Sequence, residues 1–170
     1  MEDIINTWGG QPFDFINPQP TSIFIEDIAH ALSLQCRFNG HCDKFYSVAE
    51  HSIEVCRLVE SRGYSLVVIM TALLHDAAEA YIGDIVSPLK KRLPDYREIE
   101  RGIEKAVADK FSIQYPFPKE VHKADKDILE LEFASLKPFS EKPSDLLRCM
   151  PPEMAEAEFL AEFRRLRSLG

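Results

Sequence analysis

With 170 residues, 45% of them hydrophobic, and a net charge of −8 at neutral pH, the chain suits one globular domain spanning residues 1–170. The negative balance argues against the long basic surface that polymeric DNA or RNA requires. No run approaches the length of a membrane span, and the start Met1-Glu2-Asp3 is acidic where a signal peptide is basic, so a cytoplasmic protein without a membrane partner is expected.

Residues 1 to 22 combine Gly9, Gly10, Pro12, Pro18 and Pro20 with Trp8, Phe13 and Phe15, which predicts an irregular N-terminal loop packed by aromatics, or a short hairpin. From there the chain reads as helix after helix, near 24 to 35, 47 to 62, 64 to 80, 88 to 92, 95 to 112, 118 to 137 and 151 to 168. The second helix opens at Ser47-Val48-Ala49-Glu50, a capping box that places His51 in its first turns. Arg62-Gly63 is short enough to make the second and third helices an antiparallel pair. Tyr115-Pro116-Phe117-Pro118 separates the two long later helices, because proline cannot continue a helix interior. The stretch from Lys137 to Pro152, rich in Pro and Ser, reads as a connecting loop. Strand signals are scarce, so the fold class is all-α: a single helical bundle. Cys36, Cys42, Cys56 and Cys149 show no CxxC spacing, which favours reduced thiols over a structural disulfide or a zinc knuckle.

Chemistry concentrates where the almost wholly apolar run Tyr64 to Leu74 delivers His75-Asp76. An imidazole and a carboxylate on a buried helix are unfavourable unless a cation compensates them, and a metal ion is the simplest one. On a continuous helix Glu79 would lie about 40° around from His75, on the same face. Asp84 follows Gly83 at the helix end. Among the other histidines His51 has the best setting, while His30 and His41 are weaker candidates. A further ligand is expected from the helix containing His122 and Asp125. If Leu129, Phe133 and Leu136 face the core, Asp125 shares their stripe and Asp127 points away. Arg37 and Lys90 are candidate cations for phosphate oxygens, whereas Lys91 and Arg92 read as a solvated helix end.

The order His51, His75-Asp76, Asp125 resembles the HD-domain metal-dependent phosphohydrolases. The block from His75 to Lys90 is similar to their compact 5′-deoxynucleotidase branch. The segments Ile25 to Leu32 and Cys36 to His41 resemble short phage and prophage members, some of which are dATP triphosphohydrolases. The resemblance implies one divalent ion held by His51, His75, Asp76 and Asp125, with Arg37 and Lys90 at phosphate-contacting positions. It also implies a homo-oligomer, dimer or hexamer, in the host cytoplasm if phage-encoded. On this reading Glu79 positions or deprotonates a water. Asp84 orients the water network, holds a sugar 3′-hydroxyl or shares a second ion with Glu79. Phe38 and Pro88 are candidates for contact with a base. Mixed nitrogen and oxygen ligation does not choose among Zn, Co, Mn, Fe, Ni and Mg. The expected activity is hydrolysis of deoxynucleotides, with a dATP-preferring triphosphohydrolase first and a 5′-deoxynucleotidase acting on dNMPs as the alternative. An HD-type phosphodiesterase and a non-enzymatic, metal-stabilised helical module are further readings.

Overall fold

The computed structural model describes residues 3–136 and 147–170; the expected loop from 137 to 152 thus falls largely outside the described residues. Strands β1 (Ile4–Asn6) and β2 (Pro12–Asp14) pair antiparallel with Ile5 opposite Phe13, the short hairpin that the aromatic N-terminus allowed. Helices follow as α1 (Ile25–Leu34), α2 (Val48–Ser61), α3 (Leu66–Leu74), α4 (Glu79–Ile82), α5 (Ser87–Lys90), α6 (Pro94–Phe111), α7 (Lys119–Leu136) and α8 (Pro152–Ser168). The architecture is all-α apart from the hairpin.

Helix α2 is the hub, packed on α1, α3, α7 and α8. Its buried residues Val48, Ala49, Ile53, Val55, Cys56 and Val59 cover most of its circumference, so it sits inside the bundle. Against it lies α3, whose Ile69 to Leu74 are all buried. Phe159 and Leu166 of α8 and Ile103 and Val107 of α6 complete the core. The hairpin is pinned to the site end of the bundle by Phe13, which stacks on Tyr81 with ring centroids 3.9 Å apart.

Three expectations need correction. The helix foreseen over 64 to 80 is two pieces. His75 turns its Nδ1 to the carbonyl of Ala72 at 2.8 Å, and the amides of Ala77, Glu79, Ala80 and Tyr81 bond three residues back rather than four. This tighter path removes the continuous helical face on which His75 and Glu79 were placed together.

In α7 the core stripe is Val121, Ala124, Ile128, Glu132 and Leu136, while Leu129 and Phe133 are exposed. Asp125, Leu129 and Phe133 do share a face, as expected, but that face looks into a cleft instead of the core.

The capping box is half formed. Ser47 Oγ accepts the Glu50 amide at 3.0 Å, but the Glu50 carboxylate turns away to accept the amides of Cys149 and Met150 at 2.9 and 2.7 Å. A fully buried carboxylate thus fastens the start of α2 to the segment leading into α8. Hydrogen bonds to a charged group contribute about 1.5–3 kcal/mol each, so Glu50→Ala should lower unfolding free energy by about 3 kcal/mol. Urea denaturation checks this, and a change below about 0.5 kcal/mol would show that the fastening contributes little.

Candidate metal centre and cleft

The start of α2, the turn after α3 and the middle of α7 bring His51, His75, Asp76 and Asp125 together. His51 Nε2 lies 3.2 Å from Asp125 Oδ1 and 3.6 Å from Asp76 Oδ2; His75 Nε2 lies 3.3 Å from Asp76 Oδ1 and 3.9 Å from Asp125 Oδ1. One donor atom each from His51, His75 and Asp125 falls within 4.8 Å of the other two, a set able to hold a metal ion, with Asp76 on its edge.

The donor chemistry fits a cation. Each histidine has its Nδ1 engaged, His51 by Glu132 Oε1 at 2.5 Å and His75 by the Ala72 carbonyl, so both rings can present Nε2 lone pairs to the cluster. Both Nε2 atoms are buried without a hydrogen-bond partner among the described residues. Two unsatisfied buried imidazole nitrogens facing two carboxylates are unfavourable unless an ion or proton joins them. Burial and Arg37 both act to lower the His51 pKa, yet Glu132 and Asp125 outweigh them and raise it to about 9, the direction expected where carboxylates favour positive charge.

Glu132 is one residue that sequence reasoning missed. It is fully buried, and besides His51 it accepts Arg37 Nη2 and Nε on Oε2 at 3.0 and 3.3 Å. Burial would raise its pKa, but His51 and Arg37 reverse this and hold it below the usual carboxylate range. One signal was available: Glu132 occupies an apolar position of the stripe Val121, Ala124, Ile128, Leu136.

In front of the cluster opens a cleft of about 520 Å³, lined among others by Arg37, Phe38, Asp76, Glu79, Asp84, Pro88, Lys90 and Asp125, with Leu129 and Phe133 as one apolar wall. Every site residue singled out from the sequence therefore belongs to this cleft or to the cluster behind it. Glu79 is 5% exposed, its Oε2 has no hydrogen-bond partner among the described residues and its Oε1 lies 3.5 Å from Lys90 Nζ. Burial, with the charges of Asp76 and Asp84, pushes its pKa well above the usual carboxylate range, against Lys90 and Arg37. Arg37 Nη1 lies 3.8 Å from Asp84 Oδ2 and 3.9 Å from Asp76 Oδ2, and Lys90 Nζ is 2.6 Å from Glu100 Oε1.

The turn carrying Asp84 is held from behind. Gln35 donates to the Glu79 carbonyl at 2.9 Å and accepts the Asp84 amide at 3.0 Å, while Tyr96 donates to the Gly83 carbonyl at 2.9 Å. Gly83 has φ +82° and ψ 156°, a conformation open essentially to glycine alone. Of the other histidines, His41 lines the cleft, His30 stacks on Trp8 and bonds Glu156, and His122 is exposed beside Phe117.

An all-α bundle with two histidines and two carboxylates at the back of such a cleft defines a candidate metal-dependent hydrolase. Residues 40–157 match the model of the family described as 5′-deoxynucleotidase YfbR-like. The chain is 38% identical over 128 residues to the uncharacterized protein YfdR of Escherichia coli (strain K12), covering 75% of this chain and 69% of that one. It is 33% identical over an alignment of 185 residues to the uncharacterized protein RCAP_rcc00048 of Rhodobacter capsulatus, covering 95% and 94%. The chain belongs to the YfbR-like 5′-deoxynucleotidase family, within the HD-domain superfamily of metal-dependent phosphohydrolases. Among the described residues, no helix is long and apolar enough to cross a membrane.

Outer partners of metal-binding histidines typically account for about 10- to 100-fold in metal affinity. Glu132→Gln should therefore weaken divalent-ion binding by about that factor while the protein stays folded; metal titration followed by calorimetry, with circular dichroism as the folding control, measures it. Asp125→Ala should lose most of its bound metal by elemental analysis, and full retention would remove Asp125 from the set.

Proposed function

We propose that the protein hydrolyses the phosphomonoester of deoxynucleoside 5′-monophosphates, with His51, His75, Asp76 and Asp125 holding one divalent ion. The observation that carries this reading is the charge of the cleft: four carboxylates line it, and its arginine and lysine, Arg37 and Lys90, are both already paired with carboxylates. A divalent ion brings this lining close to balance, which suits the dianion of one phosphate group. A triphosphate adds several negative charges and needs cations released to meet them. The dATP triphosphohydrolase reading is for this reason ranked second.

Hydrolysis joins a water oxygen to phosphorus, breaks the bond from phosphorus to the 5′-oxygen, and leaves a deoxynucleoside and inorganic phosphate. A divalent ion held by His51, His75, Asp76 and Asp125 would supply Lewis-acid chemistry there, making a water more acidic and the phosphoryl group more electrophilic. Glu79 faces the same space with a carboxylate oxygen that has no partner among the described residues and with a raised pKa, which suits it to take the proton of the attacking water. Arg37, fixed by Glu132, presents its guanidinium to phosphate oxygens, and Lys90 supports it from across the cleft. Asp84, its amide held by Gln35, accepts a hydrogen bond from the sugar 3′-hydroxyl. Phe38, Pro88, Leu129 and Phe133 offer apolar surface to the base.

Glu79→Gln should keep its metal and lose on the order of 10²- to 10⁴-fold in kcat. Activity within a few-fold of the parent would demote Glu79 to a structural role. For the substrate, dNMPs, NMPs, dNTPs and cyclic dinucleotides are incubated with Co, Mn, Mg and Zn and the products separated by chromatography. Phosphate from dNMPs is the expected outcome; triphosphate from dNTPs with none from dNMPs would put the triphosphohydrolase in its place, and no product from any substrate would overturn the enzyme reading.

A further inference from the structure

Two thiols flank the loop that carries Arg37. Cys36 and Cys42 place their sulfurs 3.6 Å apart, and both side chains are partly exposed. Between them run Arg37, Phe38 and His41, all of which line the cleft. Both ends of the loop are tied to the bundle: Cys36 bridges Ser47, the Arg37 amide bonds the Tyr46 carbonyl at 2.9 Å, and the Asp43 amide bonds the Leu136 carbonyl of α7 at 2.9 Å. Inside, Phe38, Asn39 and Gly40 have φ of +57°, +52° and +77°. Of these left-handed residues Gly40 carries no penalty and Asn tolerates the region, but Phe38 is strained by roughly 1–2 kcal/mol, a conformation that the fixed ends of the loop sustain.

We propose that Cys36 and Cys42 form a reversible disulfide, a modification site that sets the shape of the wall of the cleft carrying Arg37 and Phe38. A disulfide needs a separation of about 2.05 Å, so the sulfurs have roughly 1.5 Å to travel, within the reach of two side-chain torsions. The oxidant is a low-molecular-weight disulfide of the glutathione type. One cysteine thiolate attacks it, forming a mixed disulfide and expelling one small thiolate; the second cysteine thiolate attacks the protein-side sulfur and expels the other. Two protein thiols lose two protons and two electrons, and one small disulfide becomes two small thiols. The other cysteines are poor competitors. Cys56 is buried, and burial pushes its thiol pKa far up; burial and the nearby Glu50 carboxylate push that of Cys149 up as well.

The effect on turnover rests on the deoxynucleotidase reading: tightening this loop shifts Arg37 and Phe38 and should change KM several-fold, with metal content unchanged. The bridge itself does not rest on that reading, and it is read by mass. The folded protein is equilibrated with oxidised glutathione, alkylated, digested and analysed, and then treated with dithiothreitol. The expected result is a peptide pair or loop joined through Cys36 and Cys42 and lighter by two hydrogens, restored by the reductant and absent from Cys42→Ser. Alkylation of both thiols after oxidation would overturn the proposal, as would stable mixed disulfides at either one or a bridge to Cys149 or to another chain. A bridge that forms without changing KM on a substrate the parent hydrolyses would overturn its action on the cleft. If no nucleotide is hydrolysed, the mass result still decides the bridge.

Discussion

A single buried carboxylate, Glu132, joins the two halves of the site. One oxygen holds the Nδ1 edge of His51 and the other holds the Arg37 guanidinium, so the metal cluster and the cation facing the cleft share one anchor. Burying a carboxylate is unfavourable by several kcal/mol unless charge and hydrogen bonds compensate it, and here one arginine and one histidine do so together. The arrangement also fixes orientation: a His51 ring free to rotate would not keep Nε2 aimed at Asp125 and Asp76.

This anchor depends on the bundle. Three segments that are remote in sequence must meet, and each is positioned by apolar packing rather than by the polar groups. Helix α2 is enclosed by four neighbours, α3 is buried along its second half, and α7 reaches the core with Val121, Ala124 and Ile128. The polar groups are thus delivered into a frame already rigid, and their mutual repulsion is what a cation relieves. Where the frame loosens, at the turn from His75 to Ala78, the chain exchanges helical bonds for tighter ones and brings His75 and Asp76 to the cluster together.

Much of this was legible in the sequence, for identifiable reasons. Helix periods and the prolines at 116 and 118 gave the elements to within a residue or two, except that the single helix foreseen over 64 to 80 is α3 and α4 with a turn between them, and the order of His51, His75-Asp76 and Asp125 gave the cluster. Glu79 was placed at the site through a helical face that does not exist; it arrives there because α4 restarts after the turn. For Asp125 the stripe was correct and its environment was not, since exposed Leu129 and Phe133 line a cleft, and periodicity cannot tell a core face from a cavity face. Glu132 and Gln35 were missed because each acts through partners about 40 to 100 residues away, and in a helix that also carries Glu120 and Glu130 one more glutamate reads as solvated charge.

The central claim is that a divalent cation sits between the two Nε2 atoms and the carboxylates of Asp76 and Asp125. Anomalous scattering from crystals of the protein grown with manganese or cobalt tests it directly. The account predicts one strong peak within coordination distance of His51 Nε2, His75 Nε2, Asp76 and Asp125, with Glu132 still bonded to His51 Nδ1. No peak there at saturating metal, or a peak held by other side chains while both Nε2 atoms stay unligated, would contradict it.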